Sequence, residues 1–240
     1  MSGTPAAGSI ASVDSLVLAA AQNNARWCDL VCRSHGLPTV MSEQLWIAPQ
    51  GSPRLYPDAV TLAPRMAADV VLRDIDTRPG CSVKDSFADV DLEDHGFIEL
   101  FEASWFAREP APPQARPRLR WDVVTTEEEL TRWAISADLE GIFGPELLRD
   151  STVRFLVVRD EQGPRGGAIV NRTGATVGLS NVFTTAISRG DLWSDLPAAV
   201  GDLFDRLPMV GYEHGEELTL ALAAGFEPIA PLRVWLKPPV

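Results

Sequence analysis

The sequence predicts an α/β protein built on a mixed, twisted β-sheet. From residue 153 onward, three strand-like segments joined by tight turns are followed by a helix, a strand, a helix and a last strand. The last helix is apolar, stops at Gly225, and continues at once into a strand that starts at Phe226. Where strands and helices alternate along a chain, the helices pack against the sheet that the strands form. The three-strand meander adds antiparallel strands to that sheet.

Up to residue 108, a long helix is followed mainly by strands. Apolar residues recur at helical spacing after Val13, and Gly36 and Pro38 stop this first helix. Pro64 is suited to the first turn of a second helix. The expected elements are a helix over 13–34, strands over 44–48 and 58–63, a helix over 64–74, a strand over 81–84, a short helix over 89–95 and a long strand over 97–108.

A proline-rich segment over 109–118 cannot sustain helix or ladder hydrogen bonds, so we expect an extended linker and a domain boundary there. Beyond it, Thr126 and Glu129 match the capping box that begins a helix. The expected elements are a strand over 119–124, a helix over 126–139, strands over 153–159, 166–171 and 176–184, a helix over 192–207, a strand over 209–212, a helix over 216–224 and a strand over 226–236.

Charge and hydropathy exclude several classes of partner. The formal net charge is -12 at pH 7, which repels phosphate backbones, so nucleic acid is not an expected partner. No apolar run approaches the roughly 20 residues that a membrane span needs. The first residues also lack the basic and then apolar pattern of a secretion signal. We therefore expect a cytoplasmic protein with no membrane partner.

The cysteines and the lysine content raise the question of a metal or anion site. Cys28, Cys32 and Cys81 are expected to be reduced thiols rather than a disulfide framework. Cys28, Cys32 and His35 share one helical face, but no fourth ligand is apparent, so we expect a core face and no metal site. For Lys84, the only interior lysine, an ordinary ion pair is favoured over the binding of an anion.

The final helix and strand, from Glu217 to Leu236 with Gly225-Phe226 at their junction, resemble the closing elements of acyl-CoA N-acyltransferases of the GNAT superfamily. The resemblance is clearest over 119–240. It implies a GNAT-type mixed sheet whose two central parallel strands splay apart. It also implies that acyl-CoA, most simply acetyl-CoA, binds between those strands as co-substrate.

A weak internal repeat favours two related halves. The stretch from Gly96-Phe97 to Trp105 parallels the stretch from Gly225-Phe226 to Trp235, and each follows a short strand and a helix. The chain then resembles a tandem GNAT protein, with a helix and a degenerate GNAT-like half over 1–108, a linker over 109–118 and an acyltransferase domain over 119–240. The alternative is an accidental match, because Gly-aromatic pairs and tryptophans in strands are common.

The resemblance also places the cofactor. The pantetheine arm would lie along the first splayed strand, and the pyrophosphate in the loop that follows. Arg189 and Gly190 match the family's Arg-Gly-x-Gly-x-Gly loop, whereas Leu192 replaces a glycine and Asp191 adds negative charge that weakens the site. The residues expected to contact acyl-CoA are Asn181, Val182, Phe183, Arg189, Gly190 and Ser194.

Acyl transfer to an amine needs a proton donor and a base. Many GNAT enzymes carry a tyrosine four residues before the Gly-Phe pair to protonate the leaving thiolate, and Ala221 stands at that position. Tyr212 is the candidate donor in its place, with an ordinary half-buried aromatic as the alternative. Glu213 and His214 are the candidate bases, although acidic residues here also favour a helix N-terminus regardless of function.

The resemblance therefore implies an N-acyltransferase that moves an acetyl or other acyl group from acyl-CoA to the amine of a small molecule or protein. The alternative is a non-catalytic GNAT-like protein that binds a ligand or a partner subunit. The sequence leaves open the acceptor, the acyl group and the oligomeric state, and a homodimer is one arrangement that it permits.

Overall fold

A computed structural model describes residues 13–110, 112, 115–201 and 203–239. Its strands are β1 (Val40–Met41), β2 (Leu45–Ile47), β3 (Ala59–Thr61), β4 (Ser82–Asp85), β5 (Ile98–Arg108), β6 (Trp121–Val123), β7 (Val153–Asp160), β8 (Gly163–Thr173), β9 (Thr176–Thr184), β10 (Met209–Glu213) and β11 (Glu227–Leu236). Its helices are α1 (Val13–Ser34), α2 (Ala68–Leu72), α3 (Glu127–Ser136), α4 (Arg189–Gly201) and α5 (Gly215–Ala223). Short 3-10 helices cover Glu93–His95 and Pro145–Arg149.

The strands of the described residues form one mixed sheet, which confirms the predicted fold class. Their order across the sheet is β1-β2-β3-β4-β11-β5-β10-β9-β8-β7-β6. Neighbours are antiparallel except for two parallel pairs, β3 with β4 and β9 with β10. In each parallel pair, the two strands are paired at only two residue positions.

The centre of the sheet is shared by the parts of the chain on either side of the proline-rich segment. Strand β11, the last in the chain, lies between β4 and β5. Strand β5, which precedes the proline-rich segment, lies between β11 and β10. Residues 111, 113 and 114 of that segment lie outside the described residues.

Helix α1 covers one face of the sheet. Alternate residues of β5 point to opposite faces, and Trp105 and Ala107 pack in the core cluster that contains the apolar side of α1. The Asn23 amide donates to the backbone oxygen of Asn171 on β8, 3.0 Å away. A Cβ on Gly178 would overlap the Asn23 side chain, so the glycine lets α1 approach β9 closely.

Helices α4 and α5 cover the opposite face. Phe106, which points away from its neighbours Trp105 and Ala107, packs there against Trp193 of α4 and Phe226. The same alternation occurs on β7, where Leu156 belongs to this cluster and Phe155 to one on the α1 face. The sheet is therefore covered by helices on both faces, as α/β folds require.

The helix predicted over 64–74 is shorter in the structure. Arg65 has a left-handed backbone conformation with φ of 56°, and its N–H donates to the Asp89 carboxylate at 2.8 Å. The chain therefore turns before α2 begins at Ala68. The short helix predicted over 89–95 is also reduced, to the 3-10 turn at Glu93–His95.

Helix α4 begins three residues before the predicted start of 192. Ser188 begins the helix, since its Oγ accepts from the Asp191 N–H at 3.4 Å and its carbonyl from the Leu192 N–H at 3.0 Å. The predicted end at 207 is wrong as well, because Asp205 and Arg206 have φ of 49° and 54°. Arg189 and Gly190 thus lie in the first turn of a helix rather than in a loop.

The cysteines of α1 occupy its core face. Cys28 and Cys32 are buried in the cluster with Trp105, and all three cysteines are free thiols. Burial raises the pKa of the Cys28 thiol to about 12, so this thiol is inert at neutral pH. In the part of the chain described, no helix is long and apolar enough to span a membrane.

Candidate active site

The parallel strands β9 and β10 separate after a short pairing. They are in register only at Val177 with Met209 and Gly178 with Val210. On its other side β9 is bulged against β8, because the register shifts beyond Ser180, and Asn181 takes a φ of 52°. The backbone of β9 beyond Gly178 therefore faces a gap rather than a neighbouring strand.

A cavity of about 320 Å³ opens from this gap. It is bounded by α1, by the loop around Tyr56 and by strands on both sides of the proline-rich segment. Its walls are Asn24, Trp27, Cys28, Leu55, Tyr56, Pro57, Lys84, Phe101, Leu179, Ser180, Asn181, Val182, Tyr212, Glu213, His214 and Glu217. We call it the main cavity. Five of the predicted site residues lie on it: Asn181, Val182, Tyr212, Glu213 and His214.

Lys84 is buried in the wall of the main cavity, with 4% of its surface exposed. Its Nζ donates to Asn24 Oδ1 at 2.8 Å and to the Tyr212 hydroxyl at 2.9 Å, and it lies 4.1 Å from the centre of the Tyr212 ring. Within the described residues, no carboxylate forms an ion pair with it. The predicted ordinary ion pair of Lys84 is therefore wrong.

Tyr212 is held from two sides. Its hydroxyl oxygen accepts from Lys84, and its ring lies edge-on to Trp105 with centroids 5.4 Å apart. The hydroxyl hydrogen has no acceptor among the residues described, and the side chain lines the main cavity. Tyr212 can therefore donate a hydrogen bond or a proton to a bound molecule while Lys84 holds its oxygen.

Glu213 carries the acid–base character of the cavity. Burial, with the negative charge of Glu217 as second cause, raises the pKa of the Glu213 carboxyl from 4.5 to about 7. The His214 backbone N–H and the Lys84 charge oppose this rise in pKa. His214 itself is exposed at the cap position of α5, where its ring stacks on Phe101 at 4.8 Å.

A smaller cavity of about 170 Å³ adjoins the main one and shares Val182 and Glu217 with it. Phe183 and Arg189 also line it, where the family resemblance expects the cofactor. Arg189 pairs with Glu216 at 3.1 Å and with Glu217 at 3.2 Å. Its charge is therefore already balanced by two carboxylates.

The start of α4 fits a pyrophosphate poorly. A Cβ on Gly190 would meet only Leu220 and Ser188, at 3.8 and 3.9 Å, so no close approach requires a glycine there. Ser194 is exposed in the second turn of α4 and lies on neither cavity. Asp191 and Glu216 add exposed negative charge beside Arg189. The gap between β9 and β10, by contrast, suits an extended, uncharged arm with amide groups.

Ala221 lies on the buried face of α5, in the cluster with Phe106 and Phe226. It has no hydroxyl and no contact with either cavity. A proton donor in this site must therefore come from another element, and Tyr212 is the tyrosine that β10 brings to the cavity.

Comparisons with known proteins agree with the architecture. The sequence matches no protein-family model and no curated protein sequence. Among solved structures, it is similar to a GCN5-related N-acetyltransferase from Kribbella flavida, with a TM-score of 0.60 and 15% identity over 92% of this chain and 96% of that one. It is also similar to a functionally unknown conserved protein from Staphylococcus epidermidis, with a TM-score of 0.59 and 13% identity over 85% and 95%.

A third similar structure is that of a GNAT-family protein from Novosphingobium aromaticivorans, with a TM-score of 0.54 and 14% identity over 90% of this chain and 97% of that one. The overlap extends over both sides of the proline-rich segment in each case, because it covers most of the chain. The splayed parallel strands, the bulge at Asn181 and these overlaps lead to one conclusion: the chain has the fold of the GNAT acyltransferases.

Proposed function

We propose that this protein is an N-acyltransferase that moves an acyl group from acyl-CoA, in the simplest case acetyl-CoA, to the amine of a small molecule. The main observation is that the gap between β9 and β10 opens into a cavity that contains both a carboxyl titrating near neutrality and a tyrosine hydroxyl. The cavity is roofed by α1 and the Tyr56 loop, which favours a small acceptor over a protein side chain.

Glu213 is the base of the proposed reaction. An amine attacks a thioester only after losing the extra proton of its ammonium form, and a base whose pKa is close to the working pH removes it most effectively. With a pKa of about 7, the Glu213 carboxylate is available at neutral pH and still basic enough to accept the proton. His214, exposed beside it, can pass that proton to water.

Tyr212 is the proton donor of the proposed reaction. As the new C–N bond forms and the C–S bond breaks, the thiolate takes up the hydroxyl proton of Tyr212. Lys84 lies 2.9 Å from that oxygen, and its positive charge stabilises the negative charge left on Tyr212. The attacking nitrogen releases its second proton to solvent as the amide forms, and the Tyr212 hydroxyl recovers a proton from solvent after the products leave.

The donor is held mainly by its pantetheine arm in this proposal. The backbone of β9 from Ser180 to Phe183 faces the gap and can pair with the amides of the arm. The pyrophosphate gains little, because Arg189 is neutralised by Glu216 and Glu217. Affinity for the donor should therefore depend on the arm more than on the nucleotide.

Titration calorimetry with acetyl-CoA and with acetyl-pantetheine, which lacks the nucleotide, tests the donor site. We expect both to bind, with dissociation constants within about tenfold of each other. Release of free thiol on adding an amine would then report the transfer itself. If neither donor bound at about 1 mM, the proposed acyltransferase function would be ruled out.

A second candidate is a non-catalytic protein of the same fold that binds a ligand in the main cavity. Two observations favour this candidate. Arg189 forms ion pairs with two carboxylates and so has little charge left for a pyrophosphate. Ala221, which is buried, stands where many GNAT enzymes carry a tyrosine as proton donor. The same titrations separate the two functions. A non-catalytic protein would bind neither thioester and would release no thiol, while still binding its ligand in the cavity.

A further inference from the structure

Lys84 carries a buried charge that forms no ion pair with a carboxylate among the described residues. A buried ammonium is costly unless it is paired, because the interior solvates charge poorly. Its two hydrogen-bond partners, Asn24 and Tyr212, are neutral. The Tyr212 ring adds a modest cation–π attraction. One of the three Nζ donors has no partner among the described residues, so the lysine can still bind an anion.

Carboxyl groups line the same cavity. Glu213 and Glu217 lie on its wall together with Lys84. Glu217 is already occupied by Arg189 and by the Trp193 indole, whose N–H donates to it at 2.8 Å. Glu213 is therefore left to face a bound molecule. The main cavity thus contains a cation and an acidic group that interact electrostatically but, within the described residues, form no ion pair with each other.

This combination selects against two simple kinds of acceptor. A plain amine would leave Lys84 without a counter-ion, and a phosphate would bring two negative charges close to Glu213 and Glu217. A molecule with one carboxylate and one amine satisfies both ends, since the carboxylate pairs with the lysine and the amine meets the glutamate. Both groups need to lie on one small molecule to fit about 320 Å³.

We propose that the acceptor is an amino acid, whose carboxylate binds Lys84 and whose amine faces Glu213. The proposal rests on the acyl-transfer function above and names its substrate class. Trp27, Phe101 and Leu179 form an apolar part of the remaining wall, which also carries polar side chains. The apolar part can accept an apolar side chain of the amino acid, because burying that side chain removes apolar surface from water.

The test is calorimetric titration of the full-length protein with the standard amino acids, followed by the carboxamide of the one that binds best. In the wild type, the carboxamide should bind about tenfold or more weakly, because it leaves the buried ammonium unpaired. Equal binding of the acid and its carboxamide would overturn the proposal. So would a lack of binding by every amino acid at about 10 mM.

A variant then assigns the preference to Lys84. In Lys84→Gln, the acid and the carboxamide should bind equally, whereas a purely structural role would weaken both and leave the ratio unchanged. Lys237→Gln is the matched control, because Lys237 is only partly buried, donates to the His95 carbonyl and lies on no wall of the main cavity. It should keep the wild-type preference. If Lys84→Gln does not fold, the comparison of acid and carboxamide in the wild type decides alone.

The results also separate this inference from the proposed function. Acetyl-CoA is titrated without any acceptor, so its binding tests the donor site independently. Amino acid binding with a preference for the carboxylate, but without thioester binding, would retain the inference and remove the acyltransferase function. Thiol release only with amines that carry no carboxylate would retain the acyltransferase function and remove the inference that the acceptor is an amino acid.

Discussion

At the level of single residues, burial of Glu213 raises the pKa of its carboxyl into the range that suits a base in the proposed reaction. Its carboxyl titrates near 7 because burial and Glu217 disfavour the charged form. For the proposed reaction, kcat/KM should rise about tenfold per pH unit below this value and level off above it. Glu213→Gln should lower kcat/KM strongly and remove that limb of the profile. A wild-type profile that is flat between about pH 5 and 8 would exclude Glu213 as the base.

The same carboxyl should cost the protein stability at higher pH. Its pKa is about 7 in the folded chain and 4.5 in the unfolded reference, so the folded state binds more protons between these values. Stability contributed by protonated Glu213 is therefore present below the unfolded pKa and lost as pH rises through the folded pKa. Glu213→Gln stays neutral, so its melting temperature should exceed that of the wild type at about pH 8 and match it at about pH 4. The opposite trend would contradict burial of this group.

Tyr212 can be tested by removing its hydroxyl. Tyr212→Phe should lower kcat by about 10²-fold and leave the dissociation constant of acetyl-CoA nearly unchanged. The melting temperature should also fall, because buried Lys84 loses one of its two acceptors. Turnover therefore has to be compared below the melting temperature of the variant. Undiminished turnover there would show that another group protonates the thiolate.

Some of the site could be predicted from the sequence because its residues are neighbours. Tyr212 and Glu213 end β10 and His214 follows it, so a prediction that places β10 beside the cleft places all three near it. For Lys84 the sequence favours only an ordinary ion pair, because its actual partners are distant in the chain, with Tyr212 lying 128 positions away. The available signal was composition: a lone lysine inside a strand, in a chain that otherwise uses arginine.

At the level of elements, Asp195 attaches the end of the proline-rich segment to α4. The carboxylate is buried and accepts from the Arg118 and Leu119 N–H groups at 2.6 and 2.9 Å and from the Trp121 indole at 2.9 Å. Asp195→Ala should lower the free energy of unfolding by about 3 kcal/mol, because these donors lose a charged acceptor. Asp191→Ala on the same helix is the control. Its ion pair with Arg118 is exposed and 3.8 Å long, so urea denaturation should detect less than about 1 kcal/mol. Equal losses would contradict the anchoring role.

Elements with strong local signals were predicted well. The periodicity of α1 and the capping residues of α3 predict bounds close to those observed for both helices. The predicted cap is present, since Thr126 Oγ1 accepts from the Glu129 N–H at 3.3 Å. Errors arose where a distant group decides the backbone. Asp89 turns the chain at Arg65 and shortens α2. The two-residue strand β1 and the 3-10 turn at Pro145–Arg149 are too short to leave a periodic pattern.

At the level of the whole molecule, the sheet is symmetric in order about its central β11–β5 pair. On one side lie β4 and then β3, and on the other β10 and then β9, and each of these outer pairs is parallel. Each Gly-Phe strand therefore borders the parallel pair of the opposite half. We propose that the two parts of the chain are related αβ units, as the repeat of Gly-Phe and Trp predicts, and that their last strands have exchanged places.

This arrangement predicts that neither part of the chain folds alone. In a fragment of residues 113–240, β11 would lack both of its neighbours, β4 and β5, and β10 would lose β5. The fragment would also expose the face that α1 covers. Unpaired edges and uncovered apolar surface favour aggregation over folding. Circular dichroism and gel filtration should therefore find it unfolded or aggregated.

Co-expression completes this experiment. Fragments 1–112 and 113–240 produced together should assemble into one particle with the strand order of the intact chain, because the cut lies in the proline-rich segment rather than in a strand. Full-length protein cleaved in that segment after folding is the control, and its two pieces should stay associated. If 113–240 alone unfolded cooperatively as a monomer, β10 and β11 would have to pair directly without β5. The central position of β5 in the sheet would then be wrong.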